Sequence, residues 1–352
     1  YVNTNWNSLE YVYCSDAACT SKSNPIPIDS GLSPDPRYRN IAMTVRANGS
    51  PVVVYIKNNW IYTVVCADIT CGTLSVYRDN SLLTITAATN EYPKIAVTVG
   101  ANNLPRVAVA NDHNLWTGFC VEQLCSYISW TRLTPLSGTT SPITLAQNGI
   151  GIQPQFGSTP WIAWREDSNI KVLHCTNDYC TTAIDLATIS DPDIETHTVN
   201  RPSMVLGSDG FPMIAYHAYV QSSTPRTSLI RYFHCAGAVC TVPGAKTIDT
   251  EAKDIGFNWP EGSFIPSISK AGGVGGVPVI AYQDADKHLK YAYCTDDTCS
   301  TVVKNEIVSG AGSQGHYPTI VVPFDGNAFI TNGVVGATGI QGNTYVKCNT
   351  LS

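Results

Sequence analysis

Short stretches in which apolar and polar residues alternate recur along the whole chain, and this alternation predicts half-buried β-strands. Residues 9–14 and 289–294 are examples, and each of them ends at a cysteine. Other stretches open with proline, as at residues 51–55 and 278–282, because proline is tolerated at the first position of a strand. Four stretches follow one another before the pattern repeats, without a convincing helix. The sequence therefore predicts an all-β chain.

Cysteines mark the repeat. Two cysteines with four residues between them occur six times, and successive first cysteines, including a seventh at Cys348, are 52, 54, 55, 60, 59 and 54 residues apart. Four strands in a period of this length predict a β-propeller blade, whereas the coils of a β-solenoid, the main alternative, are shorter. We predict that residues 1–352 form one propeller domain of four-stranded blades. The pairs are Cys14/Cys19, Cys66/Cys71, Cys120/Cys125, Cys175/Cys180, Cys235/Cys240 and Cys294/Cys299.

The number of blades depends on how the chain ends combine. Each period holds a first, a second, a third and a fourth strand, numbered in chain order. Six blades are favoured if the last pair of first and second strands, which begins near Pro318, joins the third and fourth strands at the N-terminus. Residues 343–352 are then a surplus third strand, whose unpaired edge could mediate self-assembly. Seven blades would need about forty more residues. We expect the natural chain to be longer, or Cys348 to be a free or intermolecular thiol.

The cysteine pairs are predicted to be disulfides within each blade, between its third and fourth strands, with Cys348 unpaired. A zinc site needs four converging ligands, and each pair stands alone on its own blade. Acidic residues within the loops provide too few oxygens for calcium and are ordinary turn residues. We therefore predict no metal and no cofactor. The acidic loop residues are Asp16, Asp68, Glu122, Asp178, Asp296 and Asp297.

Composition indicates a secreted protein at the cell surface or in the extracellular space. Charged residues make up only 14% of the chain, and the 13 cysteines imply an oxidising compartment. A net charge of −6 without a basic cluster argues against nucleic acid as a partner. No apolar run approaches the roughly 18 residues that a membrane span requires.

Polar residues that follow the second strand at equivalent repeat positions form the best candidate binding site. They are expected on one face around the propeller axis, although loops commonly carry polar residues there. Trp164 occupies the position of Tyr55, Tyr216 and Tyr282, which favours packing, whereas Trp6 and Trp60 lie in turns and are better placed for contact with a ligand. No residue is assigned a catalytic role. The candidates are Trp164, Arg165, Glu166, Asp167, His217 and Asp284.

The whole repeat resembles a family of exported propellers whose blades carry Gly-x-Pro-x-Ile-x-Tyr, then Leu-Lys-Tyr-Ala, and then two cysteines. The match is clearest at residues 276–282 and 289–294, and it is weakest in the final repeat, where residues 327–329 lack the proline. The resemblance implies the propeller fold and secretion. It implies no assured activity, so no catalytic residue is carried over.

Two classes of function fit these observations. The first is a non-catalytic extracellular scaffold that binds itself, another surface protein or a polysaccharide, including a self-assembling filament. The alternative is a carbohydrate-binding lectin or a glycan-active hydrolase. The repeats share no polar signature of the kind that a multivalent lectin would repeat in each blade, so the sequence favours the scaffold and leans against an enzyme. Asn48-Gly49-Ser50 is the only N-glycosylation sequon.

Overall fold

The computed structural model contains 26 β-strands and no helix among the residues that it describes. Strands of each sheet are consecutive in the chain, so each sheet is a simple meander. The described residues are 2–3, 8–15, 21–32, 41–58, 60–79, 94–100, 102–111, 114–135, 150–154, 159–166, 169–190, 202–220, 227–237, 240, 244–251, 266–271, 276–284, 286, 288–308, 316–322, 328–336 and 339–347.

The chain divides into two compact units. Unit 1 comprises residues 1–143, 157–160 and 175–183, and unit 2 comprises residues 144–156, 161–174 and 184–352. Three sheets lie in unit 1: β1 (Val2–Asn3), β2 (Ser8–Tyr11) and β3 (Ile26–Asp29); β4 (Ile41–Val45), β5 (Pro51–Lys57), β6 (Trp60–Cys66) and β7 (Leu74–Asp79); and β8 (Lys94–Val99), β9 (Pro105–Asn111), β10 (Asn114–Cys120) and β11 (Ile128–Pro135).

Four further sheets follow. They are β12 (Ile150–Pro154), β13 (Pro160–Glu166), β14 (Asn169–Cys175) and β15 (Ala183–Ser190); β16 (Ser203–Leu206), β17 (Pro212–Val220), β18 (Thr227–His234) and β19 (Lys246–Glu251); β20 (Ser267–Lys270), β21 (Pro278–Gln283), β22 (Leu289–Cys294) and β23 (Val302–Ile307); and β24 (His316–Val321), β25 (Phe329–Gly336) and β26 (Gly339–Lys347).

The described strands form seven sheets, five with four strands and two with three. The predicted all-β class with four-stranded blades is thereby confirmed, and the described strands pair as seven sheets. The N-terminal third strand pairs with β1, and residues 343–347 are not surplus, because β26 pairs along β25 from Gly339 to Lys347. The expected joining of the two ends left residues 343–352 without a sheet, whereas β26 is the third strand of the β24–β26 sheet.

Pro154 and Pro318 lie where the repeat predicts the start of a first strand, but neither of them opens one. Pro154 ends β12, and Pro318 lies inside β24. The register of β24 against β25 shifts between His316 and Thr319, so Pro318 sits at an irregularity where a missing N–H interrupts no regular ladder.

The second strands β5, β17 and β21 are buried on both faces, because each contributes to a hydrophobic cluster on either side. In unit 1, Val53 and Tyr55 pack with Leu9 of the preceding sheet, whereas Val52 and Val54 pack in a cluster with residues of the following sheet. In unit 2, Ile280 and Tyr282 of β21 face one cluster, and Val279 and Ala281 face another. Burial of both faces explains why these strands are continuous apolar runs.

First strands of successive sheets are neighbours in unit 2, and serine side chains link them. The Ile268 N–H donates to Ser203 Oγ (3.2 Å), the Ile320 N–H donates to Ser267 Oγ (3.2 Å), and the Val322 N–H donates to Ser269 Oγ (3.1 Å). These bonds satisfy edge N–H groups that would otherwise be open to another strand.

Disulfides close the loop between the third and fourth strands of five sheets, as predicted. Cys14 is also disulfide-bonded, whereas its predicted partner Cys19 and the predicted unpaired Cys348 lie outside the described residues. The five bridges join Cys66 to Cys71, Cys120 to Cys125, Cys175 to Cys180, Cys235 to Cys240, and Cys294 to Cys299.

The second cysteine of each bridge has a backbone conformation that the spacing did not predict. It adopts the left-handed conformation, which is uncommon for a residue other than glycine, and its N–H donates to the carbonyl three residues earlier, as from Cys71 to Asp68 (3.2 Å). The disulfide and this bond together hold the turn, and the second cysteine has the same conformation and the same hydrogen bond in all five sheets. The φ values are 53° at Cys71, 52° at Cys125, 51° at Cys180, 44° at Cys240 and 50° at Cys299.

These loops also contact the sheet that precedes them in the chain. In unit 1, Tyr11 Oη donates to the Ile69 carbonyl (3.0 Å), and Arg46 Nη1 donates to the Gln123 carbonyl (3.0 Å). In unit 2, Ser208 Oγ donates to Asp297 Oδ2 (2.8 Å). The disulfide loops thus connect neighbouring sheets, a role that their local spacing does not reveal.

Candidate functional site

Each sheet has two ends with different contents. We call the end with the disulfide loop the lower edge, and the end where the second strand turns into the third the upper edge. The fourth strand also finishes at the upper edge, since Lys57 pairs with Trp60 and Ile61 pairs with Asp79. Those of the predicted site residues that the structure describes lie toward the upper edges, within or directly after second strands.

Three of the predicted residues follow one another at the end of β13. Trp164 is fully buried, as expected of a packing residue. Arg165 and Glu166 are placed by the backbone, opposite Ile170 and Asn169 of β14. Asp167 lies outside the described residues.

His217 is buried at the upper edge of the β16–β19 sheet. Its Nε2 is 2.6 Å from Ser228 Oγ, a buried hydroxyl on β18. Burial lowers the pKa of His217 to about 3 because the charged form would lose its hydration. The imidazole is therefore neutral at ordinary pH, and it can exchange hydrogen bonds but cannot provide a cation.

Asp284 shapes the turn that links β21 to β22. Its Oδ1 accepts from the Asp286 N–H (2.9 Å) and the His288 N–H (2.8 Å), and its Oδ2 lies 3.0 Å from His288 Nδ1. The side chain is 5% exposed. A carboxylate held in this way by its own turn and by an adjacent imidazole fixes the backbone of the upper edge.

A charged cluster of unit 1 was missed by the sequence analysis. Asp29 ends β3, and its Oδ2 accepts from the hydroxyl of Tyr55 on β5 (2.8 Å). Lys57 Nζ lies 2.8 Å from Asp29 Oδ1. Burial, followed by the bond to Asp29, raises the pKa of the Tyr55 phenol well above its ordinary value. The Tyr62 ring stacks on Tyr55 with centroids 5.0 Å apart.

The same arrangement occurs in unit 2. Asp249 Oδ2 accepts from the hydroxyl of Tyr282 (2.6 Å) and from Lys290 Nζ (2.6 Å). The tyrosines occupy the same repeat position, but the lysine comes from the second strand in unit 1 and from the third strand in unit 2. An Asp after isoleucine in the fourth strand, as in Ile28-Asp29 and Ile248-Asp249, is the signal that could have identified both clusters.

Trp60 begins β6 beside the unit 1 cluster and is partly exposed. Its partner across the hairpin is Lys57. The exposed Arg78 guanidinium lies 5.1 Å from the centre of the indole. This upper edge therefore presents an aromatic ring among charged side chains. Trp6, the other tryptophan predicted for contact, lies outside the described residues.

Comparisons with known proteins address the fold. No family model and no curated protein matches the sequence. An α-L-arabinanase of Penicillium chrysogenum, complexed with arabinobiose, matches with a TM-score of 0.53 and 9% identity, over 89% of this chain and 93% of that chain. An α-L-arabinofuranosidase of Fusarium graminearum, also with arabinobiose, matches with 0.51 and 11% identity over 89% and 92%.

A lectin of Aleuria aurantia, in complex with Fucα1-6GlcNAc, matches with a TM-score of 0.50 and 13% identity, over 88% of this chain and 94% of that chain. The chain has the β-propeller fold. At these identities, the likeness establishes the propeller architecture and leaves the function open. The five disulfides fit an oxidising, secreted environment.

Neither a metal centre nor a spanning helix is found in the described part of the propeller. No group of three or more His, Cys, Asp or Glu side chains there is placed to hold a metal ion. Among the same residues, no helix is long and apolar enough to cross a membrane.

Proposed function

We propose that this chain is a secreted, non-catalytic propeller that binds carbohydrate at its upper edges. One observation carries the proposal: at the upper edge of unit 1, the partly exposed indole of Trp60 stands beside the Arg78 guanidinium and the Lys57–Asp29 ion pair.

Sugars match this combination of groups. The C–H face of a pyranose or furanose ring is apolar, so packing it on an indole removes apolar surface from water. The surrounding hydroxyls take charge-assisted hydrogen bonds from guanidinium and ammonium groups and donate them to carboxylates. Arg78 is the group best exposed for such bonds, because Lys57 is already paired with Asp29.

The pairing of the carboxylates favours binding over hydrolysis. A glycosidase needs one carboxylic acid and one carboxylate on either side of the scissile bond. Asp29 and Asp249 are each paired with a lysine, and Asp284 is held by its own turn. Glu166 and Asp167 enter the proposal as binding residues, together with Arg165; they follow the buried Trp164 in the sequence.

The similar propellers add support of a general kind. The Penicillium arabinanase and the Aleuria lectin are both described in complex with saccharides, so this architecture accommodates sugars in those proteins. We place the saccharide of the present chain at Trp60, and we treat the class of sugar as unassigned.

The test begins with a glycan array, followed by calorimetry with the best saccharide. Trp60→Ala should weaken binding roughly tenfold or more, because the stacked apolar surface is lost. Tyr127→Ala is the matched control, since Tyr127 is 55% exposed but follows a disulfide loop at a lower edge. Absence of glycan binding by the parent, or equal losses in the two variants, would overturn the proposal.

Catalysis is tested separately. The parent should release no product from the glycans that it binds, and the double variant Glu166→Gln/Asp167→Asn should not change that result. Hydrolysis by the parent that disappears in the double variant would identify an enzyme instead.

A protein-binding scaffold is the second candidate, and the lower edge of unit 1 favours it. Ile69 (49% exposed), Leu124 (57%) and Tyr179 (45%) project from three disulfide loops of this unit. Exposed apolar side chains on neighbouring loops are typical of protein contacts. Substituting all three with serine should abolish any self-association seen by light scattering, while leaving glycan binding unchanged.

A further inference from the structure

The sequon Asn48-Gly49-Ser50 forms the hairpin turn between β4 and β5, at the lower edge of unit 1. Asn48 is exposed, and its Oδ1 accepts from the Ser50 N–H (3.1 Å) and from Ser50 Oγ (2.7 Å). Gly49 has a φ of +83°, and a Cβ added there would meet nothing within 4 Å. The turn is therefore tight, with open space on the side of Gly49.

The hydrogen bonds described for Asn48 use Oδ1, whereas N-glycosylation takes place at Nδ2. A glycan on Nδ2 would leave Oδ1 as the acceptor for Ser50. Because the turn keeps both of these bonds after modification, the folded hairpin is compatible with a glycan. The disulfides also indicate passage through an oxidising secretory compartment, where such transfer occurs.

Ser50 limits when the transfer can occur. Its side chain is fully buried, and its hydroxyl accepts from Arg46 Nε (2.7 Å) while donating to Asn48. Arg46 is itself buried and donates through Nη2 to the Cys66 carbonyl (2.6 Å). The transferase must recognise the sequon hydroxyl, and in the folded propeller this hydroxyl is enclosed.

We propose that Asn48 is N-glycosylated, and that the transfer precedes closure of the β4–β5 hairpin. Nδ2 attacks the anomeric carbon of a lipid-pyrophosphate-linked oligosaccharide. The N–C bond forms, the bond from that carbon to the pyrophosphate oxygen breaks, Nδ2 loses one proton, and the lipid pyrophosphate leaves. This inference is independent of the proposed sugar binding, since Asn48 and Trp60 belong to opposite edges of their sheet.

Secretion of the full chain from eukaryotic cells tests the site. The parent should show a single glycan that is removed by a peptide N-glycosidase, an amidase that hydrolyses the bond between the side-chain carbonyl carbon and Nδ2, so the peptide should then carry Asp in place of Asn48. Asn48→Asp keeps the Oδ1 acceptor and should lose the glycan completely. Asn103→Asp is the control, because Asn103 Oδ1 accepts from the adjacent Ala47 N–H (2.8 Å) without being in a sequon.

A second assay tests the timing. Purified transferase and its lipid-linked donor should glycosylate the reduced, denatured chain and fail to glycosylate the folded, unmodified protein. Secretion of the parent without a glycan at Asn48, or a glycan that persists in Asn48→Asp, would refute the site. Equal transfer to the folded and denatured chains would refute the order of events.

Discussion

The lower edges of the sheets are nearly uniform, whereas the upper edges differ from one sheet to the next. At lower edges, the five described disulfide loops share a positive φ at the second cysteine and the same backbone hydrogen bond. At upper edges, the Asp–Tyr pair recurs in both units, but the lysine that neutralises it comes from different strands. The lower edges thus share a backbone conformation, whereas the two upper-edge clusters share an aspartate that is neutralised by a lysine.

This difference distinguishes positions that the fold requires from positions where the residue can change without loss of the fold. A loop closed by two cysteines five positions apart admits few backbone conformations, so substitutions there act on stability. A carboxylate at the end of the fourth strand can be neutralised by any lysine within reach, so the neighbouring positions are open to selection for a ligand. We therefore expect lower-edge variants to change the free energy of unfolding and exposed upper-edge variants to change binding.

The largest effect should come from His217, a buried exception at the upper edge. Its pKa is about 3 in the folded protein and about 6.5 when the chain is unfolded. Between these values the unfolded chain binds a proton that the folded chain does not, so the free energy of unfolding falls as the pH is lowered. The loss approaches on the order of 4 kcal/mol at the acid end of this window.

His217→Gln keeps a polar partner for Ser228 without a titratable ring. Denaturant unfolding between pH 7 and pH 4 should show a shallower loss of stability in this variant than in the parent. Above pH 7, the free energy of unfolding should depend on pH in the same way in the two proteins. An unchanged slope below pH 6.5 would mean that His217 is protonated in the folded state.

At the lower edge, Asp178→Ala should destabilise unit 1 by about 3 kcal/mol, because it removes the carboxylate that is paired with a buried cation. Arg106 is 3% exposed, and its Nη2 donates to Asp178 Oδ2 (2.6 Å). Its guanidinium lies 5.6 Å from the centre of the Phe119 ring and 5.5 Å from that of Tyr179. Thermal unfolding measured by circular dichroism should show the change.

Asp68→Ala is the matched control for that experiment. Its carboxylate is exposed and bonds to Thr70 of its own loop, so removing it should cost much less. Adding Arg106→Met to Asp178→Ala should restore part of the lost stability, since the cation is then gone. If the two single carboxylate variants behave alike, the ion pair contributes little.

The sequence predicted those features that local spacing determines. The cysteine pairs lie five positions apart, so their loops were visible as a repeat. Arg106 and Asp178 are 72 positions apart, and nothing in either loop indicates that they meet. Asp29 was missed for a related reason: the recurring Ile-Asp pair marks its position, but its partner Tyr55 belongs to the next sheet, and the register between sheets is set by packing. His217 was expected in a loop after the second strand, whereas it lies inside β17 and is buried, because the neighbouring strands enclose it.

The smallest predicted effect tests whether the Tyr–Asp pair at the upper edge contributes the same stabilisation in both units. Tyr55→Phe and Tyr282→Phe each remove a hydroxyl that donates to an aspartate, at 2.8 Å and 2.6 Å. Each should cost about 1 kcal/mol, because the carboxylate keeps its lysine while losing one bond. Adding Asp29→Asn or Asp249→Asn and measuring urea unfolding gives two double-mutant cycles. Similar coupling energies in the two units would mean that the source strand of the lysine is immaterial, whereas coupling in only one unit would show that the other pair is merely close in space.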